Sequence, residues 1–194
     1  MQFAGKRGIQ SKTLFALGFR SLPCEEAGIE LWQTRLGVAQ TREKQLAATL
    51  SQDEQQRAAR FRTAKDRRRF VVARGMLRQL LGWYLSVAPG AIEFSYGQRG
   101  KPGLKHDARL QFNLSHAGER AVYAVSLRRP VGVDIERITR QLDFERVARR
   151  FFTPNEFHAL MRLPAQRRRR AFYRVWTAKE AASKATGNGL AQSL

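Results

Sequence analysis

The stretch from Phe172 to Leu190, FYRVWTAKEAASKATGNGL, joins a strong helical pattern to charged residues that a helix does not itself require. Its apolar side chains recur at helical spacing and glycines follow them, which predicts an amphipathic helix with a glycine-marked end. Glu180 and Lys184 lie one turn apart on this helix. Such a pair is by default a surface salt bridge that contributes only about 0.3 kcal/mol. Its meaning therefore depends on what the rest of the chain brings beside it.

Positive charge dominates the composition. The 194 residues include 36 lysines and arginines against 16 acidic residues, a formal net charge of +20, and 43% of the residues are hydrophobic. That hydrophobic share is sufficient for a buried core and excludes a disordered composition. The surface of the folded protein must carry a broad positive potential that attracts phosphates, nucleic acid or an acidic protein. Charge alone does not choose among these partners.

Cysteine content and hydropathy limit the cellular setting. The single cysteine, Cys24, excludes an internal disulfide and a zinc site made of several thiolates. The sequence also lacks an apolar run that approaches the roughly 20 residues of a membrane-spanning helix. We therefore expect a soluble, cytoplasmic protein with no membrane partner.

The N-terminal residues 1–30 are basic and have no firm hydrophobic periodicity. We predict that they form a basic extension and are a candidate for disorder. A start site assigned too far upstream and a targeting peptide are the alternatives. Alternating apolar residues then predict a first strand over 29–36.

Two helices are predicted after the first strand. Ser51 and Glu54 have the spacing of a capping box, which predicts that a helix begins there. A longer helix is predicted over residues 61–84, with arginines around its apolar face. An arginine-rich helix of this kind is usually just solvated, and contact with a phosphate group is the alternative.

The middle of the chain has the pattern of short strands. One strand is predicted from residue 92 into a Gly/Pro turn at 100–102, and two more over 111–118 and 120–127. Ser115 and His116 lie at the end of the second of these strands. Adjacent strand residues point to opposite faces, so the two do not form a nucleophile–base pair. A phosphate-binding strand end is the better functional interpretation.

The sequence VGVDIE at residues 131–136 predicts a strand with two carboxylates on one face. With a period of two, Asp134 and Glu136 project side by side while the apolar residues face the core. A solvated strand edge is the common explanation of such a pattern. In a chain with few acidic residues, and beside Gly132, which lets a ligand approach, a site for a divalent cation such as Mg²⁺ is the alternative.

The remaining patterns are helical. Residues 143–152 form one predicted helix, and a capping box at 153–156 opens the next. The arginine run 167–170 is either a solvated surface or a patch for an acidic partner. Taken together, helices associated with short strands predict an α+β fold, with an N-terminal half over 31–129 and a C-terminal half over 130–194.

Five motifs carry a resemblance to a known family. In chain order they are GKPGL (100–104), FNLSH (112–116), VGVDIE (131–136), RRFFTPNE (149–156) and WTAKEAASKATGNGL (176–190). Together they resemble the 4′-phosphopantetheinyl transferases, specifically the monomeric, surfactin-synthetase-activating type that serves nonribosomal peptide and polyketide synthases. The resemblance covers residues 51–190. It implies a monomer with two similar α+β halves related by a pseudo-twofold axis, and coenzyme A and Mg²⁺ in the cleft between them.

The resemblance also implies roles for individual residues. The implied Mg²⁺ ligands are Asp134, Glu136 and Glu180. The implied catalytic residues are Glu180 and Lys184. The implied contacts of coenzyme A are Arg57, Arg74, Lys101, Ser115, His116 and Lys184. Mn²⁺ can take the place of Mg²⁺ in such a site, since both metals accept oxygen ligands.

The implied reaction transfers 4′-phosphopantetheine from coenzyme A to a serine of an acyl or peptidyl carrier protein and releases adenosine 3′,5′-bisphosphate. Because the attacking serine belongs to the partner, Ser115 need not be a nucleophile. An acidic carrier protein suits a surface with a charge of +20. We expect no nucleic-acid partner on this interpretation.

Two features depart from the family pattern. Residues 1–30 have no counterpart, and the sequence stops at Leu194, where family members continue through further strands. We therefore expect an incomplete, truncated C-terminal half. A basic nucleic-acid-binding protein is one alternative function, and a truncated family member that binds coenzyme A without turnover is the other.

Overall fold

The computed structural model describes residues 10–24, 26, 28–97 and 100–187. Helices and strands alternate irregularly along this part of the chain. In chain order the elements are α1 (Gln10–Ala16), β1 (Arg20–Leu22), β2 (Ile29–Arg35), α2 (Gln40–Ala47), α3 (Gln52–Ala59), α4 (Ala64–Leu85), β3 (Phe94–Tyr96), β4 (Pro102–Leu104), β5 (Leu110–Ala117), β6 (Arg120–Leu127), α5 (Phe144–Phe151), α6 (Pro154–Arg162) and α7 (Ala165–Thr186). None of the described helices is both long enough and apolar enough to cross a membrane.

An antiparallel sheet with the strand order β1-β2-β6-β5 forms the centre of the N-terminal half. The strands predicted over 29–36, 111–118 and 120–127 are confirmed as β2, β5 and β6. The strand predicted from residue 92 is instead a short hairpin, in which β3 pairs with β4. The hairpin places Lys101 at its turn, next to the C-terminal half.

Helix α4 packs against this sheet and supplies much of the first core. Thr63 caps its start by accepting a hydrogen bond from the backbone N–H of Asp66. Leu77 and Leu80 are fully buried in a cluster that also holds Tyr123 of β6. The Tyr123 hydroxyl donates to the carbonyl of Ala73 on α4 (3.2 Å), which joins helix to sheet.

The described part of the N-terminal stretch is folded. The prediction of a disordered extension is wrong for this part, because α1 and β1 belong to the first half and β1 pairs with β2. Leu14 and Phe19 are buried in the first core. The ring of Phe19 makes edge contacts with Trp32 and Tyr123 (centroids 6.5 and 5.6 Å apart). These two apolar residues, rather than a long periodic pattern, attach the stretch to the sheet.

Helices α5, α6 and α7 enclose a second core. Phe172 of α7 lies stacked on Phe152 and Trp176, with centroids 5.4 and 5.9 Å away. The predicted capping box of α6 is confirmed, since Thr153 accepts from Glu156 N–H and Glu156 accepts from Thr153 N–H. Helix α7 ends at Gly187 in the left-handed region (φ 77°), as its sequence predicts.

The α+β class is confirmed. In the parts of the chain with described coordinates, every strand lies before residue 128 and residues 130–187 form helices and connecting segments. The similarity of two α+β halves that the resemblance implies is therefore not visible in these residues.

The strand predicted at 131–136 is wrong. Residues 131–139 have no strand pairing within the described structure, because helix α7 rather than a neighbouring strand lies against them. The period-two pattern in the sequence also suits an extended segment whose apolar residues are covered by a helix. Gly132 makes this contact possible, since a Cβ at its position would overlap the carbonyl of Ala181.

We expect Gly132→Ala to destabilise the protein by about 1–3 kcal/mol, the usual cost of forcing an extra group into a packed contact. The added methyl group would push the 131–136 segment away from the backbone of α7. Thermal unfolding of the purified protein measures the effect. Gly90→Ala is the control, because a Cβ at Gly90 meets no described residue within 4 Å. Equal melting temperatures for the two variants would contradict the tight packing at Gly132.

Candidate functional site

Side chains from both halves meet where β5, the 131–136 segment and α7 come together. Lys184 Nζ donates to Asp134 Oδ1 (2.6 Å) and to Ser115 Oγ (3.1 Å). The Ser115 hydroxyl donates to the same oxygen of Asp134 (2.8 Å). The pair that the sequence suggested between Lys184 and Glu180 is thus replaced by a pair between Lys184 and Asp134. Three residues that are distant in sequence form one connected polar cluster.

The Asp134 side chain is enclosed, with only 4% of it exposed, against 32% for Lys184. Its Oδ1 receives the two hydrogen bonds, whereas Oδ2 is buried and has no hydrogen-bond partner among the described residues. A buried carboxylate oxygen without a partner is costly unless a cation or donor group satisfies it. The chemistry of this atom therefore fits a positively charged ligand.

The charge of Asp134 affects the pKa values of two further carboxylates, Glu136 and Glu180. Desolvation, followed by the negative charge of Asp134, raises the pKa of Glu136 above its ordinary value. Desolvation also raises the pKa of Glu180; Lys184 acts in the opposite direction, and the charges of Asp134 and Glu136 add to the rise. Mutual repulsion of this kind is relieved when a cation binds between carboxylates.

The metal site itself stays a prediction. Within residues 10–24, 26, 28–97 and 100–187, histidine, cysteine and acidic side chains do not gather in threes closely enough to hold an ion. Asp134, Glu136 and Glu180 are electrostatic neighbours rather than a closed shell of ligands. Their donor type still fits Mg²⁺, which binds a few carboxylate oxygens and keeps several waters or phosphate oxygens.

Trp176 has a role at this site that its sequence pattern did not reveal. Its helical spacing indicates core packing, and the ring does stack on Phe172. Trp176 also lies close enough to Glu136 to lower the pKa of that carboxyl, against the larger opposing contributions of desolvation and of Asp134. Only the indole N–H could have signalled this role, because it is the one polar group of an otherwise apolar face.

Ser115 and His116 take opposite sides of β5, as the strand period predicts. Ser115 is buried in the polar cluster, whereas His116 is exposed. Partial desolvation and the positive charges of Arg69 and Lys184 lower the pKa of His116 below its ordinary value. An anion placed among these groups would meet converging positive charge.

Comparisons with known proteins agree with the motifs and the fold. Residues 39–128 match the model described as 4′-phosphopantetheinyl transferase, N-terminal, and residues 130–194 match that of the 4′-phosphopantetheinyl transferase superfamily. The 4′-phosphopantetheinyl transferase HetI of Nostoc sp. is 44% identical over 167 residues, which are 84% of this chain and 70% of HetI. The chain belongs to the 4′-phosphopantetheinyl transferase family.

Other members of the family match less of their own length. The 4′-phosphopantetheinyl transferase psf-1 of Bacillus pumilus is 34% identical over 151 residues, 78% of this chain and 64% of psf-1. The Synechocystis protein slr0495 is 37% identical over 149 residues, 76% of this chain and 61% of that protein. The chain thus spans between about three fifths and seven tenths of the length of these phosphopantetheinyl transferases.

Three of the residues that the resemblance places at coenzyme A also have protein partners. Lys101 Nζ donates to the carbonyls of Ala185 (2.8 Å) and Val131 (3.3 Å). Arg74 is buried, donates to Glu54 and Tyr96, and lies 3.9 Å from the centre of the Phe94 ring. The exposed Arg57 lies over the ring of Phe70 (5.5 Å). Of the two arginines, Arg57 is the one that presents its guanidinium group at the surface. The contacts of all three residues with coenzyme A remain predictions.

Proposed function

We propose that this protein transfers the 4′-phosphopantetheine group of coenzyme A to a serine of an acyl or peptidyl carrier protein. The observation that carries the proposal is the Asp134–Ser115–Lys184 cluster, which lies where the two family-matched regions meet. It combines a buried carboxylate oxygen without a partner and an ammonium group. Phosphoryl transfer needs positive charge that faces the phosphates throughout the reaction. The ammonium group supplies such a charge directly, and the carboxylate oxygen would hold a cation that supplies more.

In the proposed reaction the carrier serine oxygen forms a bond with the phosphorus that bears pantetheine. The bond from this phosphorus to the bridging oxygen breaks, and adenosine 3′,5′-bisphosphate leaves. Glu180 takes the serine proton as the general base. Lys184 donates hydrogen bonds to the leaving phosphate, with its side chain 32% exposed and able to reach a bound anion.

Asp134, Glu136 and Glu180 would hold Mg²⁺ in the working enzyme. The metal would supply a charge that neutralises the pyrophosphate oxygens of coenzyme A. Mn²⁺ would be accepted by the same oxygens. Lys184 would then exchange its contact with Asp134 for one with the phosphates.

A direct test incubates the full chain with coenzyme A, Mg²⁺ and an apo carrier protein, and follows the mass of the carrier. We expect the mass to rise by one phosphopantetheine group. No added mass with any of several carriers would contradict the proposal. Binding of coenzyme A without transfer would support the alternative of a family member without turnover.

The net charge of +20 favours nucleic-acid binding as a second candidate function. The two candidates respond differently to loss of the acidic side chains. Binding of nucleic acid would tolerate Asp134→Ala and Glu180→Ala, whereas transfer would be lost while the protein stays folded. On the first proposal, the same charge steers an acidic carrier protein toward the site.

We expect the affinity for Mg²⁺ to fall as the pH decreases, and the fall to begin at pH values above the ordinary pKa range of a glutamate. Raised pKa values keep Glu136 and Glu180 protonated at a pH where a free glutamate is ionised, and a protonated carboxyl does not bind the metal. Titrations with Mn²⁺ as a paramagnetic probe, repeated across pH, measure the midpoint. Glu180→Gln should lower the affinity and move the remaining midpoint down. A midpoint at the ordinary glutamate pKa would contradict the electrostatic coupling.

A further inference from the structure

The 131–136 segment carries two of the proposed metal ligands, yet it pairs with no strand in the part of the chain that the structure describes. Backbone groups of a strand are normally held by a ladder of hydrogen bonds, and a segment without a ladder must be held in another way. Here, side chains of the N-terminal half bind the backbone on both sides of Gly132.

Asn113 provides the first of these anchors. It lies on β5, two residues before Ser115, and its side chain is buried. Its Oδ1 accepts a hydrogen bond from the backbone N–H of Val133 (2.9 Å), the residue directly before Asp134. A buried amide that accepts from a neighbouring segment fixes that segment more tightly than apolar packing does, because the bond has a direction.

Lys101 provides the second anchor. Its ammonium group donates both to the carbonyl of Val131 and to the carbonyl of Ala185 in the last turn of α7. The terminal carbonyls of a helix lack partners within the helix and attract a cation. One side chain from the β3–β4 hairpin therefore ties the segment to the helix that carries Lys184.

We propose that Asn113 and Lys101 are positioning residues, which fix the backbone of residues 131–134 and so hold Asp134 against Lys184. Between the two anchors, Gly132 lies against the backbone of α7, which leaves the segment little freedom to shift. Neither residue needs to touch the phosphates for this role. The inference rests on the proposed function in one respect only, which is the role of Asp134 as a metal ligand.

The experiment uses five variants of the full chain, the fifth being the conservative Asn113→Asp. Asn113→Leu removes the acceptor at similar volume. Gln111→Leu is its control, since the side-chain amide of Gln111 on the same strand donates to the nearby carbonyl of Ala108. Lys101→Met removes the ammonium group, and Lys105→Met is its control, because Lys105 forms an exposed pair with Glu93. Backbone hydrogen exchange of residues 131–136 and the dissociation constant for Mn²⁺ are measured for each.

We expect Asn113→Leu and Lys101→Met to weaken Mn²⁺ binding by about 10-fold, the usual effect of losing a group that orients a metal ligand. Exchange should become faster at residues 131–136 and stay unchanged in α4. Asn113→Asp keeps an acceptor oxygen and should return the Val133 exchange rate toward that of the unmodified protein. Lys101→Met decides the matter if Asn113→Leu does not fold.

Exchange rates at residues 131–136 equal to those of the two controls would overturn the inference. An unmodified chain that fails to bind Mn²⁺ would contradict the proposed metal site, and the exchange rates would then decide the positioning role alone. Transfer activity is measured separately. An unmodified chain that binds Mn²⁺ and transfers nothing would contradict the proposed function, while a difference between variants and controls would still support the positioning role.

Discussion

Asp134→Asn is expected to lower the rate of phosphopantetheine transfer by about 100- to 1,000-fold, the usual cost of removing one group that stabilises transition-state charge. The substitution keeps the volume of the side chain and its bond to Ser115, but it removes the negative charge that pairs with Lys184 and would hold the metal. Initial rates at saturating coenzyme A and carrier protein measure the loss. Circular dichroism should show an unchanged fold, because Lys184 is partly exposed and can be solvated.

Asp107→Asn is the matched control for this prediction. Asp107 is also paired with a basic residue, Arg109, but it lies in the loop before β5 and outside the polar cluster. Its replacement should leave the rate within about twofold of the unmodified protein, since exposed pairs contribute little. Equal losses in the two variants would remove the support for Asp134 as a functional residue.

Glu54→Gln is expected to cost about 3–5 kcal/mol of unfolding free energy, the typical result of removing one partner from a buried ion pair. Glu54 and Arg78 are each only 1% exposed at the side chain, and Arg74 is 8% exposed. Arg78 Nε donates to Glu54 Oε2 (2.6 Å), and Arg74 donates to the other oxygen. Without the carboxylate, two guanidinium groups remain in the core without their countercharge. Denaturant unfolding measures the change.

The control for this second prediction is Glu119→Gln, which breaks the pair with Arg69 (2.6 Å) at a side chain that is 55% exposed. We expect a change below about 1 kcal/mol there. Burial alone would raise the pKa of Glu54, but the two arginines outweigh it and hold the pKa below its usual range. The stability due to this carboxylate is thus present above the unfolded pKa and is lost as the pH falls through the folded one. A similar loss for both variants would contradict a buried network.

Most of the fold could be predicted from local sequence patterns. Capping residues marked the starts of α3 and α6, apolar periodicity marked α4, and alternation marked β2, β5 and β6. The 131–136 segment could not be predicted in the same way, because a period of two describes an extended backbone but not what covers it. Helix α7 covers it, and that contact joins residues about fifty positions apart.

The site was predicted in its residue types but not in all its contacts. Asp134, Ser115 and Lys184 were each selected from the sequence, and the structure joins them. Asn113 was missed because its pattern is that of an ordinary strand residue. The partners of Lys101 could not be predicted either, since every residue has a backbone carbonyl and the sequence does not mark which carbonyls will accept a hydrogen bond. Side-chain contacts to the backbone depend on tertiary structure and have no local signal.

Among the described residues, the two hydrophobic cores have no buried residue in common. The polar cluster nevertheless takes its side chains from elements that pack on both cores. Ser115 extends from the sheet of the first core, and Lys184 from the helix of the second. A molecule bound between them would be linked thermodynamically to the docking of the halves, because it binds only when they are together. Substitutions deep in either core could then weaken binding from a distance, without altering a single atom that the ligand touches.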